Sequence, residues 1–246
     1  MISRAHLAAL FLIPLLGCQK QDQTAQTTPP TAPSTPTPSN PSGNASTSTT
    51  QPATLPDSLK NTAYDYYGLA QTEPQKAVIR VDGKSYSGSH ILKLLSVNGA
   101  AATYLETLTG TPQGDQSQTI SLSSDGVYVE STDPETLKTP HVLELPTKLE
   151  PGFTWKSHVE FTAVGKDVVI DRTCRIVGPQ TLTLKSGNVE TLYVESSGSG
   201  KYENDPATTK DQWWYAKGKG PVKWVETLTI GGKAHMTETV ETDLEG

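Results

Sequence analysis

His90-Ile91-Leu92-Lys93-Leu94-Leu95-Ser96-Val97-Asn98-Gly99-Ala100-Ala101-Ala102-Thr103-Tyr104-Leu105-Glu106-Thr107-Leu108 decides the fold. Two strand-like runs, His90 to Ser96 and Ala101 to Leu108, flank Asn98-Gly99. Asn-Gly tolerates positive φ at both centres of a tight turn, so the stretch predicts a β-hairpin. Outward in both directions the same grammar repeats. Lys76 to Asp82 closes on Asp82-Gly83, and Thr119 to Ser123 and Val127 to Ser131 flank Asp125-Gly126. Further strands are expected at 141–145, 155–164, 167–177, 180–185, 190–195, 212–215 and 222–230, and at 234–242 after Gly231-Gly232. Helical periodicity is nearly absent. The expected fold class for residues 58–246 is therefore all-β, a curved antiparallel meander of half-barrel or sandwich-like form.

The N-terminal quarter follows different rules. Arg4 precedes an apolar run from Ala5 to Leu16, which ends in Leu15-Leu16-Gly17-Cys18. Charged, apolar and small-residue regions in that order mark a secretory signal peptide over 1–17. The run is shorter than the 20 or so residues of a spanning helix and is interrupted by Pro14. The tetrapeptide resembles the lipobox of bacterial lipoproteins, which implies that Cys18 becomes the acylated first residue of the mature chain, held by palmitate or similar chains. Two or more acyl chains give a lasting anchor where one is marginal. Residues 18–57 form a Thr-, Pro- and Ser-rich linker with almost no large apolar side chains. It cannot bury enough surface to offset its ordering entropy and is expected to be a disordered tether, reaching on the order of 100 Å when stretched.

Charge narrows the partners. The whole chain carries −6, and removal of the leader takes away only Arg4, leaving −7. Such a balance argues against nucleic acid and against electrostatic attachment to anionic membranes. With Cys18 committed to lipid, Cys174 has no partner for an intramolecular disulfide, and its apolar surroundings suggest a buried, inert thiol.

Several features of the β-domain recur as a set: Leu145-Pro146 with Pro151-Gly152-Phe153-Thr154-Trp155, Gly187-Asn188-Val189-Glu190-Thr191-Leu192-Tyr193-Val194, Trp214-Tyr215-Ala216 with Gly220-Pro221-Val222-Lys223, and Ser124-Asp125-Gly126-Val127-Tyr128. In these the chain resembles uncharacterised bacterial envelope proteins with LolA/LolB-like or TapB-like β-domains. That resemblance implies a curved antiparallel sheet with an apolar concave face. It transfers no ligand, because fold alone does not carry function.

Candidate chemistry is sparse. His90, His141, His158 and His235 each head a strand-like run, and imidazoles brought together in this way would suit copper, with Met236 nearby. No two of them share a local ligand spacing. Ser197-Gly198-Ser199-Gly200-Lys201 is only part of a phosphate loop, with Glu195 and Tyr202 where glycine and a hydroxyl residue belong. Trp213, Trp214, Tyr215 and Trp224 form an aromatic group able to stack a sugar ring or an apolar ligand, with alternation placing Trp213 and Tyr215 on one face and Trp214 on the other. Tyr64, Tyr66 and Tyr67 open the domain with alternation of the same kind, which suggests core or edge packing. The leading expectation is a lipid-anchored cell-envelope protein that binds an envelope partner protein or an apolar ligand, with no cofactor and no nucleic acid. The alternative is a copper-dependent redox enzyme such as a superoxide dismutase. Gln19 is not the aspartate that commonly retains lipoproteins at an inner membrane, so the outer membrane or cell surface is the expected location.

Overall fold

The computed structural model describes residues 55–133, 135–163 and 165–243. The expected signal peptide, the expected lipidation site Cys18 and nearly all of the expected linker lie outside these residues. A 3₁₀ turn (Asp57–Leu59) and a short helix α1 (Thr62–Tyr67) precede thirteen strands. These are β1 (Gln75–Val81), β2 (Lys84–Asn98), β3 (Ala101–Thr109), β4 (Gln116–Leu122), β5 (Gly126–Asp133), β6 (Thr136–Leu137) and β7 (Val142–Pro146), then β8 (Thr154–Ala163), β9 (Lys166–Leu184), β10 (Gly187–Tyr202), β11 (Asp205–Ala216), β12 (Gly220–Ile230) and β13 (Lys233–Asp243). All pairings are antiparallel, and the spatial order is β6-β8-β9-β10-β11-β12-β13-β1-β2-β3-β4-β5-β7. The last strand thus pairs with the first, joining two curled half-barrels into one ribbon. Among the described residues no helix is long and apolar enough to cross a membrane.

The hairpin at 90–108 forms, but one residue out of phase. Asn98 pairs with Ala101, so Gly99 and Ala100 occupy the turn. Only Gly99 takes positive φ, at 57°, as the glycine-first turn demands. Two expected strand breaks do not occur. Gly178-Pro179 lies inside continuous β9, and Ser197 to Lys201 lies inside β10. The Ser-Gly-Ser-Gly-Lys run is therefore strand, not loop. Its glycines admit close neighbours: a Cβ on Gly200 would lie 1.8 Å from the Val169 carbonyl oxygen.

The tyrosines at 64–67 sit on a helix rather than in an alternating strand, and they pack in or against the core. Asn61 caps α1 by accepting from the Tyr64 amide at 3.0 Å, and Gly68 closes it in the left-handed conformation. This segment is packed into the domain. Leu59, Ala63, Tyr67 and Leu69 join the main core with Ile79, Ile120, Leu122, Leu145, Ile170, Ile176, Trp213, Tyr215 and Trp224, drawn from both half-barrels. Full burial of each large apolar side chain contributes about 1.5–3 kcal/mol. Polar bonds fix the segment at its rim: Asn61 Nδ2 donates to the Ser123 carbonyl at 2.9 Å, Thr62 donates to the Thr147 carbonyl, and the Gly218 amide donates to the Asp65 carbonyl at 2.7 Å. Residues 55–69 are thus part of the folded body.

Candidate functional site

Strands β8 to β12 alternate with period two, which gives each strand an inner face in the core and an outer face in solvent. Register aligns the outward residues into rows that cross five strands. One row runs Thr154, Arg175, Glu195, Gln212, Val225. The next runs Lys156, Thr173, Ser197, Lys210, Thr227. Apart from Lys156, which stands at the end of its row, these residues line a shallow groove of about 670 Å³, within the usual size range of ligand sites, and the buried Ser196 and Asp211 also border it. At about 4.8 Å per strand, a row spans about 19 Å. Arg175 is paired with Glu195 at 2.8 Å. Among the described residues Lys156 and Lys210 have neither an ion-pair nor a hydrogen-bond partner. The two rows hold three cations, Lys156, Arg175 and Lys210, against the Glu195 carboxylate, on a chain whose net charge is −6, and buried Asp211 adds a second carboxylate to the groove wall.

An aromatic patch adjoins the groove. Trp214 and Tyr193 stack with centroids 5.0 Å apart, and the Lys223 ammonium lies 5.8 Å from the Trp214 ring. Gln212 belongs to both features, since it lines the groove and its Nε2 donates to the Tyr193 hydroxyl at 2.6 Å. Trp214 Nε1 donates to Gln180 Oε1 at 2.7 Å. Leu184, Ala216 and Val222 form the floor of the patch. Of the four aromatics singled out from sequence, only Trp214 is on this face, and it is buried beneath Tyr193 and Lys223. Trp213, Tyr215 and Trp224 are at most 2% exposed and belong to the core.

The histidines occupy separate environments. His90 is buried, its Nε2 2.6 Å from Glu106 Oε1 and its ring edge-on to Trp224. His141, at φ 62°, stacks on Tyr128 at 3.9 Å and meets Glu130 at 2.8 Å. His158 is exposed between Glu160 and Asp171, and the hydrogen bonds to those two carboxylates raise its pKa. His235 is in β13, and its side chain lies outside the described residues. Among the described residues no group of three or more His, Cys, Asp or Glu side chains could hold a metal ion.

The inner face departs from the apolar surface that the family resemblance implies. Glu106 accepts from the Tyr67 hydroxyl at 2.9 Å and from Gln118 at 2.8 Å. Across the core Arg172 meets Glu144 at 3.3 Å and Ser157 at 3.2 Å, and Ser196 donates to Asp211 at 2.9 Å. A bulge brings Glu144 inward, because Val127 faces Leu145 while Tyr128 faces Leu143, which leaves Glu144 as the extra residue. Burial raises the Glu144 carboxyl against the opposing pull of Arg172, and burial pushes Asp211 up to about 7. Burial also raises the Cys174 thiol to about 11, the inert behaviour expected of it. His90 and Glu106 are each 3% exposed, so a substrate cannot reach them while the core is closed. These residues make up a packed polar scaffold on the inner face.

Sequence reasoning does not find the groove. Its residues are an ordinary scatter of Thr, Ser, Lys, Arg and Gln until strand register places them side by side. The alternation of β9 and β11 is the available signal, and the missing fact is which rungs align.

No family model matches this chain, and no curated protein matches it. Solved structures with a similar chain course include a protein described as a lipoprotein from Parabacteroides distasonis ATCC 8503 (TM-score 0.47, 9% identity, covering 70% of this chain and 94% of that one). Another is described as an exported protein with a YmcC-like fold from Bacteroides fragilis NCTC 9343 (TM-score 0.47, 9% identity, 70% and 95%). A third is the hypothetical lipoprotein YmcC from Escherichia coli (K12) (TM-score 0.39, 10% identity, 74% and 89%).

Proposed function

We propose that this is a lipid-anchored protein of the bacterial cell envelope whose β-domain is a binding module, with the outer groove of β8–β12 as its ligand site. One observation carries the reading: polar groups are arrayed in register across the outer face in solvent, while the described polar residues of the inner face are buried. The anchor is acylated Cys18, the tether is the Thr-, Pro- and Ser-rich segment that follows, and the site is presented outside the cytosol, at the outer membrane or cell surface.

Two measurements test this. Mass spectrometry of the mature protein is expected to find an acylated N-terminal Cys18, and Cys18→Ser should release the chain from membranes. For the site, a photo-crosslinking residue at Thr227 in the full-length protein should capture a discrete envelope component in living cells. The same residue at Ser85, on the exposed face of β2, should not. No adduct at Thr227, or the same adducts at both positions, would remove the groove from the account.

A further inference from the structure

The composition of the groove narrows its ligand. We infer that it takes an acidic glycan, a chain of sugar units bearing carboxylate or other anionic groups; this rests on the groove being the binding site proposed above. Three features converge. The first is charge. Lys156 and Lys210 stand at two points of one row with the hydroxyls of Thr173 and Ser197 between them, and they have no partner among the described residues. A row with two free ammonium groups and no carboxylate attracts an anion, and it does so against the negative charge of the whole chain.

The second feature is length. The groove crosses strands rather than running along one, and a row of about 19 Å exceeds a single ion or a monosaccharide. An extended polymer lying perpendicular to the strands would meet one side chain per strand. The lining hydroxyls and the Gln212 amide both donate and accept, which suits a ligand rich in hydroxyls. The third is the aromatic rim. Tyr193, half-buried over the covered Trp214 ring, flanks the groove next to Gln212, and an aromatic face with a polar edge packs against the C–H faces of sugar rings. An acidic peptide would use the lysines, but it would leave the hydroxyl row and the aromatic rim with less to do.

Titration calorimetry of the full lipidated protein in detergent tests this, with hexagalacturonate as the probe. Maltohexaose has the same length without charge, and hexaglutamate carries the charge without sugar. Hexagalacturonate is expected to bind at one site, at least ten-fold more tightly than either comparison ligand, and to weaken as salt rises from low to high ionic strength. Lys210→Glu and Lys156→Glu should each weaken it at least ten-fold without moving the melting temperature. Maltohexaose binding equally well, or hexaglutamate binding equally or better, overturns the acidic glycan in favour of a neutral sugar or an acidic peptide. Failure of hexagalacturonate to bind also overturns it; if the Thr227 adduct persists in that case, the groove survives as a site for another ligand. If the adduct is absent as well, both readings fall together.

Discussion

The inner and outer faces of β9 to β11 are built from the same polar alphabet and behave as opposites. Inside, Arg172, Ser196 and Asp211 lie within 5% of full burial, joined to one another's neighbours by hydrogen bonds and charge. Outside, one residue along each strand, Thr173, Ser197 and Lys210 are exposed. Residue type does not separate scaffold from site here; the solvent does. A buried polar group must satisfy its needs within the protein and becomes structure, whereas an exposed one trades with water and can exchange that water for a ligand. The two faces should therefore respond differently to mutation, one in stability and the other in binding.

The largest effect should come from the inner face. Arg172→Ala strips Glu144 of its cation and leaves a carboxyl in the core beside Asp211. Breaking a buried pair in this way costs about 3–5 kcal/mol. Urea denaturation of the mature chain should show the midpoint fall accordingly; a change below about 1 kcal/mol would mean that the inner charges are not the scaffold described. Next is the pH response of Asp211. Its folded pKa of about 7 stands above the 3.8 of a free aspartate, so its contribution is full below pH 3.8 and is lost as pH rises through 7. The swing is on the order of 4 kcal/mol, since each tenfold gain in proton affinity on folding is worth about 1.4 kcal/mol. Burial raises Glu135 to about 8, which has the same sign. The melting temperature should drop between pH 5 and pH 9, and Asp211→Asn should flatten part of that drop. An unchanged profile in the variant would count against a buried, titrating Asp211.

How much of this was legible in the chain depends on whether the relevant contact is local. Period-two alternation in 167–177 and 222–230 marks the strands, and it puts Trp213 and Trp214 on opposite faces. Asn98-Gly99 marks the hairpin, though not its phase, because either residue could head the turn until pairing chose Gly99. Helix α1 is obscured because Tyr64, Tyr66 and Tyr67 mimic alternation, and a six-residue helix is held by its cap and its burial more than by propensity. The inner network is out of reach for a different reason: Glu106 and Tyr67 are 39 residues apart, and Arg172 and Glu144 are 28 apart. The groove needs the register of five strands at once. No single stretch contains it.

Tyr67 gives a smaller effect and joins the inner scaffold to the N-terminal helix α1. Tyr67→Phe keeps the ring in the core and removes the hydroxyl that donates to Glu106. Glu106 retains His90 and Gln118, so the loss should be about 1–2 kcal/mol, the net worth of one buried hydrogen bond to a carboxyl group. Hydrogen exchange should report this loss first in α1 and its neighbours, since a segment of about fifteen residues held at its rim opens at lower free energy than the sheet. Uniform loss of protection across all strands would instead mean that α1 unfolds only with the whole domain.

The smallest stability effect belongs to the outer face, and there the comparison is most exposed to failure. Lys210 has no partner to lose among the described residues, so Lys210→Glu should change stability by no more than about 0.5 kcal/mol, the range of ordinary surface substitutions. It also turns the charge of its row from two cations to one cation and one anion. If the faces divide labour as argued, this variant melts like the parent yet fails to crosslink through Thr227, while Arg172→Ala, studied below its lowered midpoint, still crosslinks. The reverse pairing, with a destabilised Lys210→Glu that binds normally, would show that the outer row is held by interactions within the domain and that its exposure has nothing to do with a ligand.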